Sequence, residues 1–453
     1  MIFDKFIAEG LSHNSYLIGS GQEAAVIDPR RDCEAYIAAA ENHELKITDI
    51  FETHRNEDYL VGSVELANRT GATIHHGEDL DFRYGAPVKD GEVFSIGSLS
   101  LTIQKTPGHT PESISIMVID RAVSDQAYLV FTGDLLFAGS VGRTDLAGDR
   151  ADAAALMYQS LHERLLSLGD GVIVCPGHGA GSVCGGHISD HPFTTLGYEK
   201  RTNPFLALER EQFISRKVQE VTYIPPYFTM MERLNRDGPP PLPARRSLAP
   251  LTPAAVKACQ EKGAQILDIR SPTGFAAGYI GGSLNIWREG IAMYAGWMLN
   301  YTDPIVLIDD FNLNLDLVVS TFRRLGYDNL TGYLAGGFIA WSGSGNQIAK
   351  IETWGPRDLA DHLDDPGLLI LDVRDINNRI EAGWIEGSQH SYIGQLPAHL
   401  DTLPKDRLIV VHCDVGYKGS LGASILVAHG YPRVVNLLGG IGGWIKAGLP
   451  VKR

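Results

Sequence analysis

Four apolar runs in the first 180 residues each end in a turn that carries a side chain able to bind a metal. The runs end near residues 51, 105, 131 and 175, and their β-branched composition indicates strands. The side chains that follow these runs are His54, His109, Asp134 and His178. Polar residues that follow the carboxyl ends of neighbouring strands meet at one edge of a sheet. The pattern therefore predicts a metal site at such an edge.

The remaining pattern of the first half predicts a layered α/β domain. Two short strands are expected at residues 15–18 and 24–28, because a glycine-containing turn separates two β-rich runs. Helical spacing predicts helices over residues 33–43 and 152–168, and a long helix from residue 198 to about residue 220. This mixture is typical of a sandwich of sheets with outer helices, which we place at residues 1–238.

The second half of the chain repeats itself. A proline-rich stretch at residues 239–250 predicts a semi-rigid linker and a domain boundary. Beyond it, Leu-Asp-Ile-Arg at residues 267–270 recurs as Leu-Asp-Val-Arg at residues 371–374, an offset of 104 residues. A Gly-Gly pair at residues 336–337, with Trp341, recurs at residues 439–440 with Trp444. Two copies of one α/β domain are predicted, at residues 251–348 and 352–453.

Composition narrows the classes of function. The 453 residues are 44% hydrophobic and 21% charged, which is ordinary for globular domains. A net charge of −15 argues against nucleic acid or an anionic membrane as a partner. The N-terminus lacks the pattern of a secretory signal, no apolar run reaches the length of a membrane span, and the five cysteines are scattered. We therefore expect a cytoplasmic protein.

The four metal-capable turns resemble the motifs of the metallo-β-lactamase superfamily. The later three match its P-G-H, T-G-D and second G-H turns at residues 107–109, 132–134 and 176–178. The first motif, T-H-x-H-x-D-H, is matched only in part: His54 and Asp58 are present, whereas Asn56 and Tyr59 replace two histidines. The resemblance implies a multidomain α/β chain that begins with an αββα metallo-β-lactamase sandwich.

The two replaced histidines change the metal that is expected. By the family's pattern, the first metal site keeps His54, His109 and Asp134, while the second keeps only Asp58 and His178 beside the shared Asp134. Two imidazoles and one carboxylate with open positions form the ligand set of mononuclear non-haem Fe(II) oxygenases. One Fe(2+) per chain is therefore expected. Zinc, which uses three protein ligands and a water in hydrolytic sites, is the alternative, and an inactive relic site is the third interpretation.

The segment after Asp134 resembles one branch of this superfamily. Residues 142–145, Gly-Arg-Thr-Asp, are similar to a segment of persulfide dioxygenases, whose iron ligands match His54, His109 and Asp134. Arg143 would either steady an anionic substrate or pair with Asp145 and staple the loop. Both roles are compatible with the sequence.

The two C-terminal copies resemble rhodanese domains, whose reactive cysteine lies in a C-x-x-G-x-[RK] loop. The last copy has this motif, with Cys413 as the sulfur carrier and Lys418 as the cation. Backbone N–H groups and the start of a helix are expected to stabilise a thiolate or persulfide there. The cradling loop consists of Asp414, Val415, Gly416 and Tyr417. In the copy at residues 251–348, the middle copy or middle repeat of the chain, Asp309 and Asn314 occupy the Cys and Lys positions. A structural or docking role is therefore expected for this copy.

The whole chain resembles fusions of a persulfide dioxygenase with tandem rhodanese domains. The resemblance implies oxidation of a low-molecular-weight thiol persulfide by O2 to sulfite at iron. It also implies transfer of sulfane sulfur among persulfide, sulfite and thiosulfate at Cys413, in a homodimer or homotetramer. Two alternatives stay open at this point. One is a zinc thioester hydrolase of the glyoxalase II type; the other is a sulfurtransferase whose metallo-β-lactamase domain is silent.

Overall fold

The computed structural model describes residues 1–182, 186, 188–242 and 248–453. The chain divides into two compact units, Met1–Arg245 with Ser320–Gly326 and Arg246–Val319 with Tyr327–Arg453. Part of the linker predicted at residues 239–250 lies outside the described residues, since 243–247 are not described. Among the described helices, none combines the length and the apolar character that crossing a bilayer requires.

The first unit is built on two six-stranded sheets. Its strands are β1 (Ile2–Ala8), β2 (His13–Ser20), β3 (Glu23–Ile27), β4 (Lys46–Phe51), β5 (Thr73–Gly77), β6 (Ala86–Val88), β7 (Val93–Ile96), β8 (Leu99–Lys105), β9 (Ile114–Asp120), β10 (Leu129–Gly133), β11 (Leu136–Phe137), β12 (Ser140–Val141), β13 (Ile173–Pro176) and β14 (Thr194–Thr195). Its helices are α1 (Glu34–Asn42), α2 (Ser63–Thr70), α3 (Arg150–Gln159), α4 (Leu196–Thr202), α5 (Arg210–Gln219) and α6 (Phe228–Asp237). One sheet has the order β1-β2-β3-β4-β5-β6 and the other the order β14-β13-β10-β9-β8-β7, while β11 and β12 pair separately.

The two sheets pack face to face and helices cover their outer faces. Strand β3 shows why: Ala25 and Ile27 join the core between the sheets, whereas Ala24 and Val26 join a second core that includes residues of α1 and α2. Alternate residues of a strand point to opposite faces, so a strand covered on both sides is apolar throughout. Residues of α3 and α5 cover the other sheet in the same way. The layers follow the predicted order αββα.

The prediction of one long helix from residue 198 to about residue 220 is wrong. Two helices, α4 and α5, occupy this stretch, and the first ends at Thr202. Pro204 follows Asn203, whose backbone is extended with φ −75° and ψ 117°. Proline has no N–H and disfavours helical geometry in the residue before it, so the helix stops there. The helix expected over 152–168 also changes character, because a π-helical turn over Ser160–Leu165 follows α3.

The second unit contains two equivalent five-stranded parallel sheets. Its strands are β15 (Ala249–Leu251), β16 (Gln265–Asp268), β17 (Leu284–Asn285), β18 (Ile305–Ile308), β19 (Leu330–Leu334), β20 (Glu352–Trp354), β21 (Leu368–Asp372), β22 (Gln389–His390), β23 (Leu408–His412) and β24 (Val434–Leu437). The helices of the two copies are α7 (Pro253–Glu261), α8 (Pro272–Ala277), α9 (Ile291–Met298), α10 (Leu315–Arg324), α11 (Gly337–Gly343), α12 (Pro356–Ala360), α13 (Ile376–Ala382), α14 (Leu396–His399), α15 (Tyr417–Ala428) and α16 (Gly440–Lys446). The orders β15-β19-β18-β16-β17 and β20-β24-β23-β21-β22 are equivalent, which confirms the predicted repetition.

The repeated Asp-x-Arg sequence is a buried ion pair at the end of a central strand. Arg374 donates to Asp372 Oδ1 at 2.9 Å from Nε and to Oδ2 at 2.7 Å from Nη2. Its Nη2 also donates to the carbonyl of Gly383 at 2.8 Å. Asp268 and Arg270 form the same pair in the other copy, at 2.7 Å. A planar guanidinium makes two parallel hydrogen bonds to a carboxylate. The pair therefore fixes the conformation of the turn that follows the strand.

Replacing Arg374 with Met is expected to destabilise the C-terminal repeat by about 3 kcal/mol, because the buried Asp372 loses its bidentate partner. Arg379, 2.9 Å from Asp372, limits the loss. Urea unfolding followed by circular dichroism measures the change. The double variant Asp372→Asn with Arg374→Met is the control and should recover part of the stability. A loss below about 1 kcal/mol, as for an exposed pair, would contradict this account.

Candidate functional site

His54, His109 and Asp134 converge although they come from three separate turns, after β4, β8 and β10. Their ligand atoms all lie within 4.8 Å of one another. Asp134 Oδ2 is 3.8 Å from His54 Nε2 and 3.6 Å from His109 Nε2. All three side chains are buried. The geometry suits one ion bound by two imidazoles and a carboxylate.

Hydrogen bonds from the far side of each ring aim both imidazoles at this point. His109 Nδ1 bonds to the carbonyl of Arg143 at 3.0 Å. His54 Nδ1 lies 2.9 Å from Thr53 Oγ1, which itself donates to Asp28 at 2.8 Å. The two Nε2 atoms have no hydrogen-bond partner among the described residues. Buried ring nitrogens without a partner are costly, and ligands oriented through Nδ1 are typical of metal centres, so these residues fit a bound metal.

The protonation of His54 and Asp134 also suits a metal. Burial lowers the pKa of His54 to about 4, so its imidazole is neutral and keeps its lone pair at neutral pH. Burial opposes ionisation of Asp134, but the charge and hydrogen bond of His178 and the two other imidazoles outweigh it. The pKa of Asp134 is therefore held below its usual range, and the carboxylate is charged.

Two glycines let the turns approach closely enough to form the site. Gly133 has φ +49°, and a Cβ on it would lie 2.5 Å from Thr53 Oγ1. A Cβ on Gly177 would lie 2.7 Å from Asp134 Oδ1. The glycines of the T-G-D and second P-G-H turns are thus required, because a side chain at either position would clash with a neighbouring residue of the site.

The predicted second-site residues lie close to one another. His178 Nδ1 bonds to Asp134 Oδ1 at 2.8 Å, and its Nε2 is 3.0 Å from Asp58 Oδ2. Burial would lower the pKa of His178, but the carboxylates of Asp134 and Asp58 raise it well above its usual value. Among the described residues, His178 Nε2 and both carboxylate oxygens of Asp58 have no hydrogen-bond partner.

The two residues that replace histidines are both buried. Asn56 Nδ2 donates to the carbonyl of His54 at 3.3 Å. The ring of Tyr59 lies against His13 with 4.0 Å between ring centroids. The Tyr59 hydroxyl has no hydrogen-bond partner within the described parts of the chain.

Sequence reasoning missed two acidic residues of this site. Asp28 ends the apolar strand β3 and holds Thr53 behind His54; a carboxylate that follows an apolar run was the signal that found the other ligands. Glu57 is fully buried, and its Oε2 lies 3.7 Å from His109 Nε2. The first motif gives no signal for Glu57, because it leaves that position unspecified.

Arg143 is held by Asp145. Its Nε donates to Asp145 Oδ1 at 2.6 Å and its Nη2 to Oδ2 at 2.8 Å. Burial would raise the pKa of Asp145, but Arg143 holds it below its usual range. The guanidinium also lies 5.7 Å from the ring of Phe228. Of the two roles considered for Arg143, these contacts support the loop staple, and its carbonyl positions His109.

Cys413 lies between β23 and α15 in a cradle of backbone N–H groups. Gly416 N–H donates to its Sγ at 3.1 Å, and the N–H groups of Gly419 and Val415 also lower its pKa. Gly416 has φ +104°, a conformation that favours glycine. The loop is thus shaped to hold an anionic sulfur.

The net effect on Cys413 is nevertheless opposite to the expectation from sequence. The side chain is 1% exposed, and burial raises the pKa of the thiol despite Lys418 and the N–H groups. Lys418 Nζ lies 2.6 Å from the carboxylate of Asp414, which offsets part of its charge. The unloaded cysteine is therefore mainly a thiol at neutral pH.

In the middle copy a carboxylate occupies the place of the sulfur. Asp309 Oδ2 accepts from the N–H of Asn312 at 2.7 Å and from Phe311 at 3.3 Å. Arg288 Nη2 donates to the same oxygen at 2.8 Å. Asn314, which stands at the Lys position, has φ +52°. The cradle of this copy is filled by its own side chain.

The repeated Gly-Gly turn packs against each loop. A Cβ on Gly440 would lie 2.2 Å from the carbonyl oxygen of Cys413, and the next residue, Ile441, donates its N–H to that oxygen at 2.8 Å. In the middle copy a Cβ on Gly337 would lie 1.9 Å from the carbonyl oxygen of Asp310. The second glycine of each pair is required by this close approach.

Aromatic side chains of the middle copy lie beside the Cys413 loop. The ring of Trp287 is 5.0 Å from that of Tyr417 and 5.6 Å from that of Tyr294. Tyr294 is buried, and burial followed by the nearby Cys413 raises its pKa. Nothing in the sequence pattern indicated that this copy would contribute to the surroundings of Cys413.

Comparison with known proteins matches both halves of the chain. Residues 8–178 match the metallo-β-lactamase superfamily, and residues 252–344 and 355–447 each match the rhodanese-like domain. A metallo-β-lactamase from Staphylococcus aureus subsp. aureus COL is 32% identical, with a TM-score of 0.67 over 74% of this chain and 99% of that chain. The chain belongs to the metallo-β-lactamase superfamily. Its C-terminal repeats are rhodanese-like domains, so the family and fold expected from the motifs are confirmed.

Two sequence relatives differ in the function that their names state. The hydroxyacylglutathione hydrolase GloC of Haemophilus influenzae is 30% identical over 207 residues, which are 41% of this chain and 88% of that protein. The mitochondrial persulfide dioxygenase ETHE1 of Bos taurus is 26% identical over 225 residues, which are 47% of this chain and 77% of that protein. Both similarities concern less than half of this chain.

Alkylation of Cys413 by iodoacetamide is expected to keep accelerating with pH past the usual titration range of a cysteine thiol, because burial raises the pKa of this thiol and only the thiolate reacts. Lys418→Met should move the profile to still higher pH, since the lysine lowers that pKa. Mass spectrometry of the modified peptide gives the rate, with Cys413→Ser as the blank. A plateau already reached below about pH 7 would show that the cradle outweighs burial.

Proposed function

We propose that this chain oxidises a low-molecular-weight thiol persulfide with O2 to sulfite at a mononuclear iron centre. His54, His109 and Asp134 would hold the ion, and Cys413 would transfer sulfane sulfur. The observation that carries the proposal is the one convergent group of two imidazoles and one carboxylate within the described residues, a group that does not include Asp58 or His178. That ligand set matches non-haem Fe(II) oxygenases. Similarity to the persulfide dioxygenase and to rhodanese-like domains supports the sulfur chemistry.

The oxidation balances without a further reductant. One persulfide, RSSH, with O2 and one water gives RSH, sulfite and two protons, so the terminal sulfur loses the four electrons that O2 gains. When bound, the iron would supply open positions and redox capacity for this reaction. The carbonyl of Arg143 and the hydroxyl of Thr53 hold the two imidazoles in place. Arg143 and Asp145 fix the loop from which that carbonyl projects.

The second step uses the Cys413 loop alone. The thiolate of Cys413 attacks the sulfane sulfur of thiosulfate, the S–S bond of thiosulfate breaks, and sulfite leaves with the electron pair. The persulfide now on Cys413 is an anion within reach of the backbone N–H groups that face Sγ. Reversal with a thiol or sulfite as acceptor returns the cysteine. The aromatic residues Trp287 and Tyr417 stand beside this loop and would limit what reaches it.

A thioester hydrolase is the second candidate, because the similarity to GloC favours it. Hydrolytic zinc sites need a competent ligand set and an activated water. Here the second-site residues Asp58 and His178 lie 3.0 Å apart and outside the group of three convergent ligands that the described residues form. One convergent group favours one metal and therefore the dioxygenase.

Protein purified without oxygen is expected to contain about one iron per chain and to consume O2 only when a persulfide is supplied. Asp134→Ala should lose the metal and the O2 uptake, because it removes the only carboxylate of the three-ligand group. Metal analysis and an oxygen electrode make the two measurements. Zinc with thioester hydrolysis and no O2 uptake would favour the second candidate and overturn the proposal.

Cys413→Ser is expected to abolish sulfur transfer from thiosulfate to cyanide while leaving persulfide-dependent O2 uptake within about twofold of the wild type. Asp309→Ala is the matched control in the other repeat and should leave transfer nearly unchanged, because no sulfur can be carried at Asp309. Transfer by the Ser variant would refute the assignment of Cys413. A large loss of transfer in folded Asp309→Ala would refute a passive middle repeat.

A further inference from the structure

Glu57 is a buried carboxylate with one oxygen that the surrounding protein does not satisfy. Its side chain is fully buried, and Oε2 has no hydrogen-bond partner among the residues that the structure describes. Oε2 lies 3.7 Å from His109 Nε2. That nitrogen is one of the two atoms that point at the proposed ion. The free oxygen therefore lies on the metal side of the loop.

Among the described residues, the other oxygen of Glu57 has only a shared and distant partner. Arg55 Nη2 lies 3.5 Å from Oε1, and the same nitrogen lies 3.3 Å from Glu232 Oε1. Arg55 is thus divided between two carboxylates, and it does not reach Oε2. A buried carboxylate needs a compensating charge and hydrogen bonds. Arg55 supplies part of that requirement and leaves the rest unmet.

A bound divalent cation would supply the rest of the positive charge that the buried carboxylate of Glu57 needs. Asp134 carries one negative charge into the site, and the two imidazoles carry none in their ligand form. A divalent ion held by these three residues alone keeps one unbalanced positive charge in a buried place. A second carboxylate beside His109 removes that imbalance, and Glu57 is placed there. Its Oε2 lies outside the group of three whose ligand atoms are all within 4.8 Å of one another.

We infer that Glu57 is a second carboxylate of the metal centre, which balances the charge of the bound divalent ion beside His54, His109 and Asp134. This inference rests on the proposed metal centre and adds a residue to it. It also gives the altered first motif a purpose: the motif loses imidazoles at Asn56 and Tyr59, and it gains an anion at Glu57. A centre with two carboxylates and two imidazoles carries one more negative charge than the motif alone indicates, which suits a divalent ion.

The test is the affinity of the metal-free full-length protein for Fe(II), measured without oxygen by competition with a chromogenic chelator. Glu57→Gln keeps the shape of the side chain and removes its charge. It is expected to weaken Fe(II) binding at least tenfold, the scale on which groups around a metal's ligands act. Glu232→Gln is the matched control: it removes the other carboxylate on Arg55 and should stay within about twofold of the wild type.

A second variant covers the case in which Glu57→Gln does not fold, which circular dichroism of the metal-free protein would reveal. Glu57→Asp keeps the charge but withdraws it by one methylene, and it should weaken Fe(II) binding at least threefold. The rise in melting temperature on adding Fe(II) should shrink in the same order, which gives a readout independent of activity.

The outcomes separate this inference from the proposed function. Unchanged Fe(II) affinity in folded Glu57→Gln or in Glu57→Asp overturns the role of Glu57 and leaves the iron centre standing. Equal losses in Glu57→Gln and Glu232→Gln also overturn it, because the effect would then come from Arg55. Failure of the wild type to bind Fe(II) overturns both the inference and the proposed function.

Discussion

The carboxylate of Asp134 is the point on which the architecture of the first unit depends. It faces the Nε2 atoms of His54 and His109 on one side and bonds to His178 on the other. The strand before it must end in Gly133, because a side chain there would meet Thr53. His54 follows a strand of one sheet, whereas His109, Asp134 and His178 follow strands of the other. The prediction of one edge of a single sheet is therefore wrong, and the buried carboxylate of Asp134 joins turns from both sheets. A metal ion held by His54, His109 and Asp134 would add to the stability of this arrangement.

Much of this arrangement was predictable because it depends on local sequence. Apolar runs that end in His54, His109 and Asp134 place those residues at strand ends, and repeated Asp-x-Arg and Gly-Gly segments reveal the two copies. Pro204 predicts the break between α4 and α5. The helical spacing on both sides of this residue instead predicts one continuous helix.

Other features depend on packing between distant segments, which the sequence pattern does not encode. The charge on Glu57 is ordinary for a loop until His109, over fifty positions away, is placed beside it. The raised pKa of Cys413 has the same origin: the motif shows the N–H groups and Lys418, whereas the burial that outweighs them comes from neighbouring elements. Charge balance and burial are properties of the folded surroundings, so motifs predict donors better than they predict pKa values.

The two repeats place different side chains in the same backbone geometry. In the last repeat the cradle holds the sulfur of Cys413, the proposed carrier of sulfane sulfur. In the middle repeat the carboxylate of Asp309 accepts the equivalent N–H bonds and a bond from Arg288. The carboxylate of Asp309 does not accept sulfane sulfur, and it is oxidised and alkylated far less readily than a thiolate. The occupied loop of the middle repeat therefore keeps its charge whatever the sulfur supply, and this constancy sets it apart from the loop that holds Cys413.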